Sequence, residues 1–439
     1  MPVVLPLELH ELIIDQLLYS FLELKACSIV CKAWLPRCRL HLFRTLIVRP
    51  RIFNKGYSEP FCCEYQQFFT LDHSFITPSI VFHVRRLKLS YEVQSPFGLL
   101  LDSSCAPISS ALIPVSSMIT IPFPFKRLQT LHICWRSVNW GGVTALEKML
   151  QQIDCLRHLV IEGRWRFRVK EDILSSIAIH APGLKTLCLA KLRWFPNSIA
   201  SPFVEEILSR WNDRFYEQGI PPLRLERLCI TKSTSKNCVA DLEKVILPSP
   251  CLDLSNLRYL AMPAGSLQEV IYDARFRTLG RQVTHLAIVN LDTSAFKVDS
   301  GSFPVLSHLQ LYIRKEHDLV RFLHIHGASA ISTPPWVRMH INFEKHLDHR
   351  LKNREMTAQS YSDIVVHTSS VDLALHKFIV DCEVSMQISV HFAHLDGGEP
   401  DIQHDYIREM FPQSFPTGHL EWTDRKSLEW WLDHKSGVW

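Results

Sequence analysis

Glycine is scarce in this chain, 15 residues of 439. No glycine-rich loop of the kind that cradles phosphate is present, which removes the common nucleotide-binding signatures. A G-x-S-x-G elbow and an H-E-x-x-H helix are also missing. Asparagine is rarer still, with nine residues, and none opens an Asn-x-Ser/Thr sequon. Neither sign of charge dominates: 48 Lys and Arg face 44 Asp and Glu, for a net charge of +4. That balance gives no electrostatic footprint for nucleic acid. The 13 cysteines are odd in number and irregular in spacing, with no CxxC pair and with Cys62 and Cys63 adjacent. Reduced thiols in a cytoplasmic or nuclear protein are expected from that usage. Near the start, Glu8, Glu11 and Asp15 interrupt the apolar positions and no basic stretch precedes them, so no secretory signal is expected. One uncharged run, Ser103 to Phe125, spans 23 residues, but Pro107, Pro114, Pro122 and Pro124 break it. Prolines at that density favour a loop over a membrane helix.

What is abundant is apolar: 47% of residues, with 21% charged, the makeup of a folded chain. Residues 5 to 46 open with Leu5-Pro6, and proline suits a helix start because its missing N–H has no partner there. Leu9, Leu12, Ile13 and Leu17 recur at helical spacing and predict one apolar face. A second run predicts Leu24, Cys27, Val30 and Cys31 together, and Pro36 predicts a break. Two or three short helices in so few residues make a marginal core, one that leans on a partner or on the rest of the chain.

The order Leu5-Pro6-x-Glu8-Leu9, Ile13-Ile14-Asp15 and Ala26-Cys27-Ser28-Ile29-Val30-Cys31-Lys32-Ala33-Trp34 resembles an F-box. It is particularly similar to the F-box proteins expanded in mushroom-forming fungi, where a phrase like Leu42 to Leu46 follows the motif. The resemblance implies docking onto the small adaptor subunit of a cullin–RING ubiquitin ligase, and through it to the cullin. Leu5, Pro6, Leu9, Ile13, Leu24, Val30 and Trp34 match motif positions and are the expected adaptor-binding residues. The turn Tyr19-Ser20-Phe21 departs from the motif by lacking an acidic pair. A helical cap with purely packed Leu, Ile and Val is the other reading of the same spacing.

A second pattern begins after residue 80: apolar, two residues, Leu, one residue, apolar. It occurs at Val84/Leu87/Leu89, Leu128/Leu131/Ile133, Leu156/Leu159/Ile161 and Leu184/Leu187/Leu189. It returns at Leu225/Leu228/Ile230, Leu257/Leu260/Met262, Val283/Leu286/Ile288 and Leu306/Leu309/Leu311. Starts are 44, 28, 28, 41, 32, 26 and 23 residues apart; most lie within a few residues of the leucine-rich-repeat period, and the two long steps mark insertions near 103–125 and 190–222. Helical runs lie between: Leu146, Met149, Leu150 and Ile153 share one side, as do Ile173, Leu174, Ile177 and Ala181. An inserted run carries Phe203, Ile207, Trp211 and Phe215. The expected fold is therefore α/β: a small N-terminal helical F-box at 1–48, an irregular leucine-rich-repeat-like solenoid at 49–330, and a capping C-terminal region at 331–439. Each repeat would bury its apolar side by stacking on its neighbours. Past residue 330 the rhythm fades, although Val337/Met339/Ile341 and Val384/Met386/Ile388/Val390 still alternate like strands. Leu428 to Leu432 predicts a final amphipathic helix.

Trp135-Arg136, Arg164-Trp165-Arg166 and Arg193-Trp194 follow three consecutive phrases. Loops after successive strands share a rim, so these seven residues are the expected target-docking patch, with Trp and Arg the residue types of binding hot spots. A solvated edge is the plainer alternative. His324 with His326, and His391 with His394, come nearest to metal spacing, but no Cys or carboxylate cluster completes them. No metal, cofactor or catalytic residue is expected. The function expected is a non-enzymatic adaptor that holds an unknown target protein near a ubiquitin ligase. A ligase-independent interaction scaffold is the alternative, and an RNA-binding solenoid a third class with less behind it, since nucleic acid and membrane partners are not expected.

Overall fold

The computed structural model describes residues 6–17, 20–48, 83–90, 125, 127–138, 146–147, 149–165, 173–192, 219, 221–232, 249, 251–265, 267, 279–289, 291, 298, 301–313, 316–327, 337–343, 370–381, 386–392, 408 and 410–422. The chain is a mixed α/β protein dominated by parallel strands, and it divides into two compact units. One comprises Met1–Arg224, Lys232–Asp253 and Lys435–Trp439; the other comprises Leu225–Thr231 and Leu254–His434.

The first unit opens with three short helices, α1 (Leu7–Gln16), α2 (Phe21–Val30) and α3 (Leu35–Leu42). Pro6 caps α1 in an extended conformation, where its missing N–H costs nothing. Cys31 turns extended and ends α2. Pro36 sits in the first turn of α3, so it begins a helix at the expected break. Ile14, Leu24 and Cys38, one from each helix, form the module's buried centre, with Leu17, Cys27, Trp34 and Leu42 packed around them.

Five parallel strands follow: β1 (Thr45–Val48), β2 (Arg86–Ser90), β3 (Thr130–Val138), β4 (His158–Trp165) and β5 (Thr186–Leu192). Leu46, Leu87, Leu131, Leu159 and Leu187 are successive partners in one row. The apolar start of each phrase, Val84, Leu128, Leu156 and Leu184, is buried as well. One hydrogen bond recurs just before each strand: Arg85 N–H to Arg44 O, Gln129 to Arg85, Arg157 to Gln129 and Lys185 to Arg157, at 2.8–2.9 Å. Parallel pairing needs a long crossover. Helix α4 (Ile173–His180) supplies one between β4 and β5, burying Leu174 and Ile177. Leu146, Met149, Leu150 and Ile153 are also buried, as their spacing predicted. A short pair, β6 (Leu223–Arg224) and β8 (Leu252–Asp253), completes the described strands of this unit.

The second unit repeats the scheme with β7 (Arg227–Lys232), β9 (Tyr259–Pro263), β10 (His285–Val289), β11 (His308–Ile313), β12 (Arg338–Phe343), β13 (Gln387–Phe392) and β14 (Leu420–Trp422). Leu228, Leu260, Leu286, Leu309, Met339, Ile388 and Leu420 form its apolar row. The sequence rhythm fades after residue 330, yet the parallel ladder runs on through β12, β13 and β14. Met339 and Ile388 stand in for Leu, so the phrase weakens while the geometry holds. Helix α5 (Glu316–Gly327) buries Leu319, Phe322 and Leu323, and the helix at 370–381 buries Val371, Leu375 and Phe378. The predicted helices at 202–218 and 428–432, and nearly all of the loop at 103–125, lie outside the described residues.

Candidate functional site

The helical module presents apolar side chains to solvent. Leu9 is 44% exposed, Ile13 49% and Val30 65%, and Leu12, Phe21, Leu22 and Ile29 are exposed with them. The spacing of Leu9, Leu12, Ile13 and Leu17 predicted one shared face, but the structure turns the first three outward and packs Ile14 and Leu17 inward. Both sides of α1 are apolar, and so small a core holds a single stripe of it. Likewise Leu24 is buried and Cys27 half-buried, while Val30 and Cys31 are exposed. Of the other residues matched to the motif, Pro6 is exposed, Trp34 is half-buried with its ring edge-on to His10 at 5.5 Å, and Leu5 lies outside the described residues.

A polar clamp braces the module from the side. Arg37 on α3 donates from Nε to Asp15 Oδ1 at 2.6 Å and from Nη2 to Asp15 Oδ2. His41 Nε2 donates to the same Oδ1 at 2.7 Å, and Glu11 Oε2 lies 3.9 Å from Arg37. The Arg37 bonds hold the Asp15 carboxyl down at about 2, with His41 adding to the effect and partial burial opposing it. A forked guanidinium on a carboxylate fixes orientation as well as distance. It therefore sets how α1 and α3 present their outer side chains.

The expected rim is only partly placed. Trp135 and Arg136 lie on β3, and Arg164 and Trp165 on β4. Arg166, Arg193 and Trp194 lie outside the described residues. The first four were expected on loops beyond the strands; instead the strands extend to include them. Trp135 is opposite Gly163, and then the register shifts so that Trp165 faces Val138. The even spacing of Arg136 and Arg164 therefore does not continue as an even ladder.

A second constellation was not anticipated. In the second unit, Arg227, Tyr259, His285, His308 and Arg338 are register partners across five neighbouring strands. The Arg227 guanidinium lies over the Tyr259 ring at 4.4 Å. Tyr259 stacks on His285 at 4.4 Å, and His285 on His308 at 4.1 Å with ring planes 10° apart. Burial, with His308, Arg227 and His340 beside it, pushes His285 down to about 3. Burial and the Arg338 charge lower His308 too. His340, on the next row, falls to about 4 through burial and the neighbouring His308, with Glu421 pulling the other way. Each member of the row immediately precedes the second apolar residue of its strand phrase. That repeat is the signal that could have revealed it.

One histidine of each pair has a structural partner, and His394 lies outside the described residues. His326 accepts from Val298 N–H at 3.0 Å and donates to Phe322 O at 2.8 Å; His391 contacts Asn342 Oδ1 at 3.2 Å. Among the described residues no group of three or more His, Cys, Asp or Glu side chains is placed to hold a metal ion. No described helix is long and apolar enough to cross a membrane. No protein-family model matches the chain, and no curated protein is significantly similar to it.

Proposed function

We propose that the chain is a substrate-recognition adaptor of a cullin–RING ubiquitin ligase. In this reading the N-terminal helices are an F-box that docks on the adaptor subunit, and the remaining α/β repeats are a leucine-rich-repeat-like solenoid that holds a target protein. The observation that carries it is the outward placement of Leu9, Ile13 and Val30 on a module that packs Ile14, Leu24 and Cys38 as its own small core. Exposed apolar side chains on a braced scaffold support protein docking, because burying them against a partner is favourable. These three also match the F-box motif. The chain would perform no chemistry; it would raise the local concentration of target beside a ubiquitin-loaded enzyme.

The proposed target rim comprises Trp135, Arg136, Arg164, Trp165, Arg166, Arg193 and Trp194. Its support is position: β3 and β4 are neighbours, and their C-terminal ends carry the first four. Affinity purification of the full chain followed by mass spectrometry tests the reading. Recovery of adaptor and cullin, lost when residues 5–46 are deleted, is expected. Recovery of other proteins without adaptor or cullin would support a ligase-independent scaffold in its place.

A further inference from the structure

We propose that the cationic row at the N-terminal edge of the first unit's ladder, Arg44, Arg85, Arg157 and Lys185, is a docking strip for an acidic segment of a partner protein, held through its carboxylates. The row lies at the opposite ends of the strands from the proposed target rim, and the proposal does not depend on the ligase reading. Three observations carry it.

First, the row is regular. The backbone bonds ahead of the strands, Arg85 N–H to Arg44 O, Gln129 to Arg85, Arg157 to Gln129 and Lys185 to Arg157, place these five residues at equivalent positions. Neighbours therefore repeat at the strand spacing of about 4.8 Å, and all but Gln129 are cationic. Arg157 and Lys185 are exposed, and Arg44 and Arg85 are half-buried. Positive charge spread strand by strand, with a gap at Gln129, fits a series of single carboxylates on an extended chain better than one compact anion. Second, further cations lie beside the row. Arg39 is in the last turn of α3, and Arg85 Nη1 donates to the carbonyl oxygen of exposed Arg127 at 3.2 Å. His83 senses the resulting field: burial lowers it first, and then the charges of Arg85, Arg39 and Arg127.

Third, little negative charge answers the row. Among the described residues Arg39, Arg44, Arg85 and Arg157 form no ion pair. Asp154, exposed three positions before Arg157, is the one carboxylate on the described turns that lead into β1–β5. Glu147, on the helical stretch ahead of β4, lies against His180 at 3.5 Å. Carboxylates arriving along the row would meet guanidiniums whose planar forks match them. A nucleic acid would need open rings on which to stack its bases. The rings on these turns do not offer them, since Phe43 and His83 are half-buried and Phe125 is buried.

The test uses the purified full-length chain and a fluorescent, end-capped oligoglutamate peptide, read by anisotropy, with oligouridine and a phosphoserine peptide of equal length as comparison probes. Oligoglutamate should bind, and more weakly as salt is raised. Arg157→Glu should weaken it about tenfold at low salt, the scale of reversing one charge near another. Its melting temperature should not change, because Arg157 is exposed. Asp154→Asn, which takes away the one carboxylate there, should tighten binding. Arg321→Glu, an exposed charge on α5 of the second unit, should leave it unchanged. The proposal is overturned if wild type does not bind, if a normally folded Arg157→Glu variant binds as wild type does, or if Asp154→Asn binds no more tightly. Equal weakening by Arg321→Glu would also overturn it, because net charge alone would then explain the binding. So would oligouridine binding as tightly as oligoglutamate, or the phosphoserine peptide binding much more tightly. Adaptor capture through residues 5–46 is a separate readout, so failure here leaves the ligase reading standing.

Discussion

Asp15 on α1 receives the Arg37 guanidinium from α3 at 2.6 Å, and this pair joins two helices separated by the whole of α2. Because the folded carboxyl titrates near 2 and its ordinary value is 3.8, the pair stabilises fully above pH 3.8. Its contribution is lost as pH falls through about 2. Both side chains are about one-third exposed, so the contribution should be about 0.2–1 kcal/mol. Arg37→Met should lower the melting temperature slightly at neutral pH, and wild type and variant should converge in strong acid. A gap that persists below pH 2 would show that the pair is not the cause.

Leu159 and Leu187 are fully buried partners on β4 and β5. Truncating either to Ala should cost about 2–5 kcal/mol through lost transfer energy and the cavity left behind. Chemical denaturation measures this directly, and a loss under about half a kcal/mol would mean that these leucines do not hold the ladder.

Gly280 lies in a short 3-10 turn ahead of β10, where a Cβ would come 2.0 Å from the Ser302 carbonyl oxygen. Backbone cannot swing aside as a flexible side chain would. Gly280→Ala should therefore destabilise by about 1–3 kcal/mol, read as a lower denaturation midpoint. A neutral substitution would mean that the two segments separate easily.

How much of this was legible in the sequence depends on which neighbours decide each feature. The apolar row was readable because its pattern is local: Leu131, Leu159 and Leu187 each sit in a strand phrase, and each phrase carries its own register. The polar strip was not, since His285 and His308 gain meaning only when their strands are aligned side by side. Strand β14 was missed because Leu420 to Trp422 is too short to display an alternation. The outward turn of Leu9 and Ile13 was hidden by an α1 that is apolar on two sides; only the limited size of the core around Ile14 decides which side is buried. The rim was half visible. The residue types and the spacing of Arg136 and Arg164 could be read, but the register shift after Trp135 is a property of paired backbones.

The proposed docking role rests on exposed apolar side chains, and titration calorimetry of the full chain against a purified cullin–RING adaptor subunit measures it most directly. Wild type should bind at a ratio of one to one. The double substitution Ile13→Asp and Val30→Asp should abolish the heat of binding and leave the melting temperature nearly unchanged, because both side chains face solvent. Leu24→Ala, at a buried position, should lower the melting temperature. No binding by the folded wild-type chain, or full binding by the Ile13/Val30 double variant, would contradict the account.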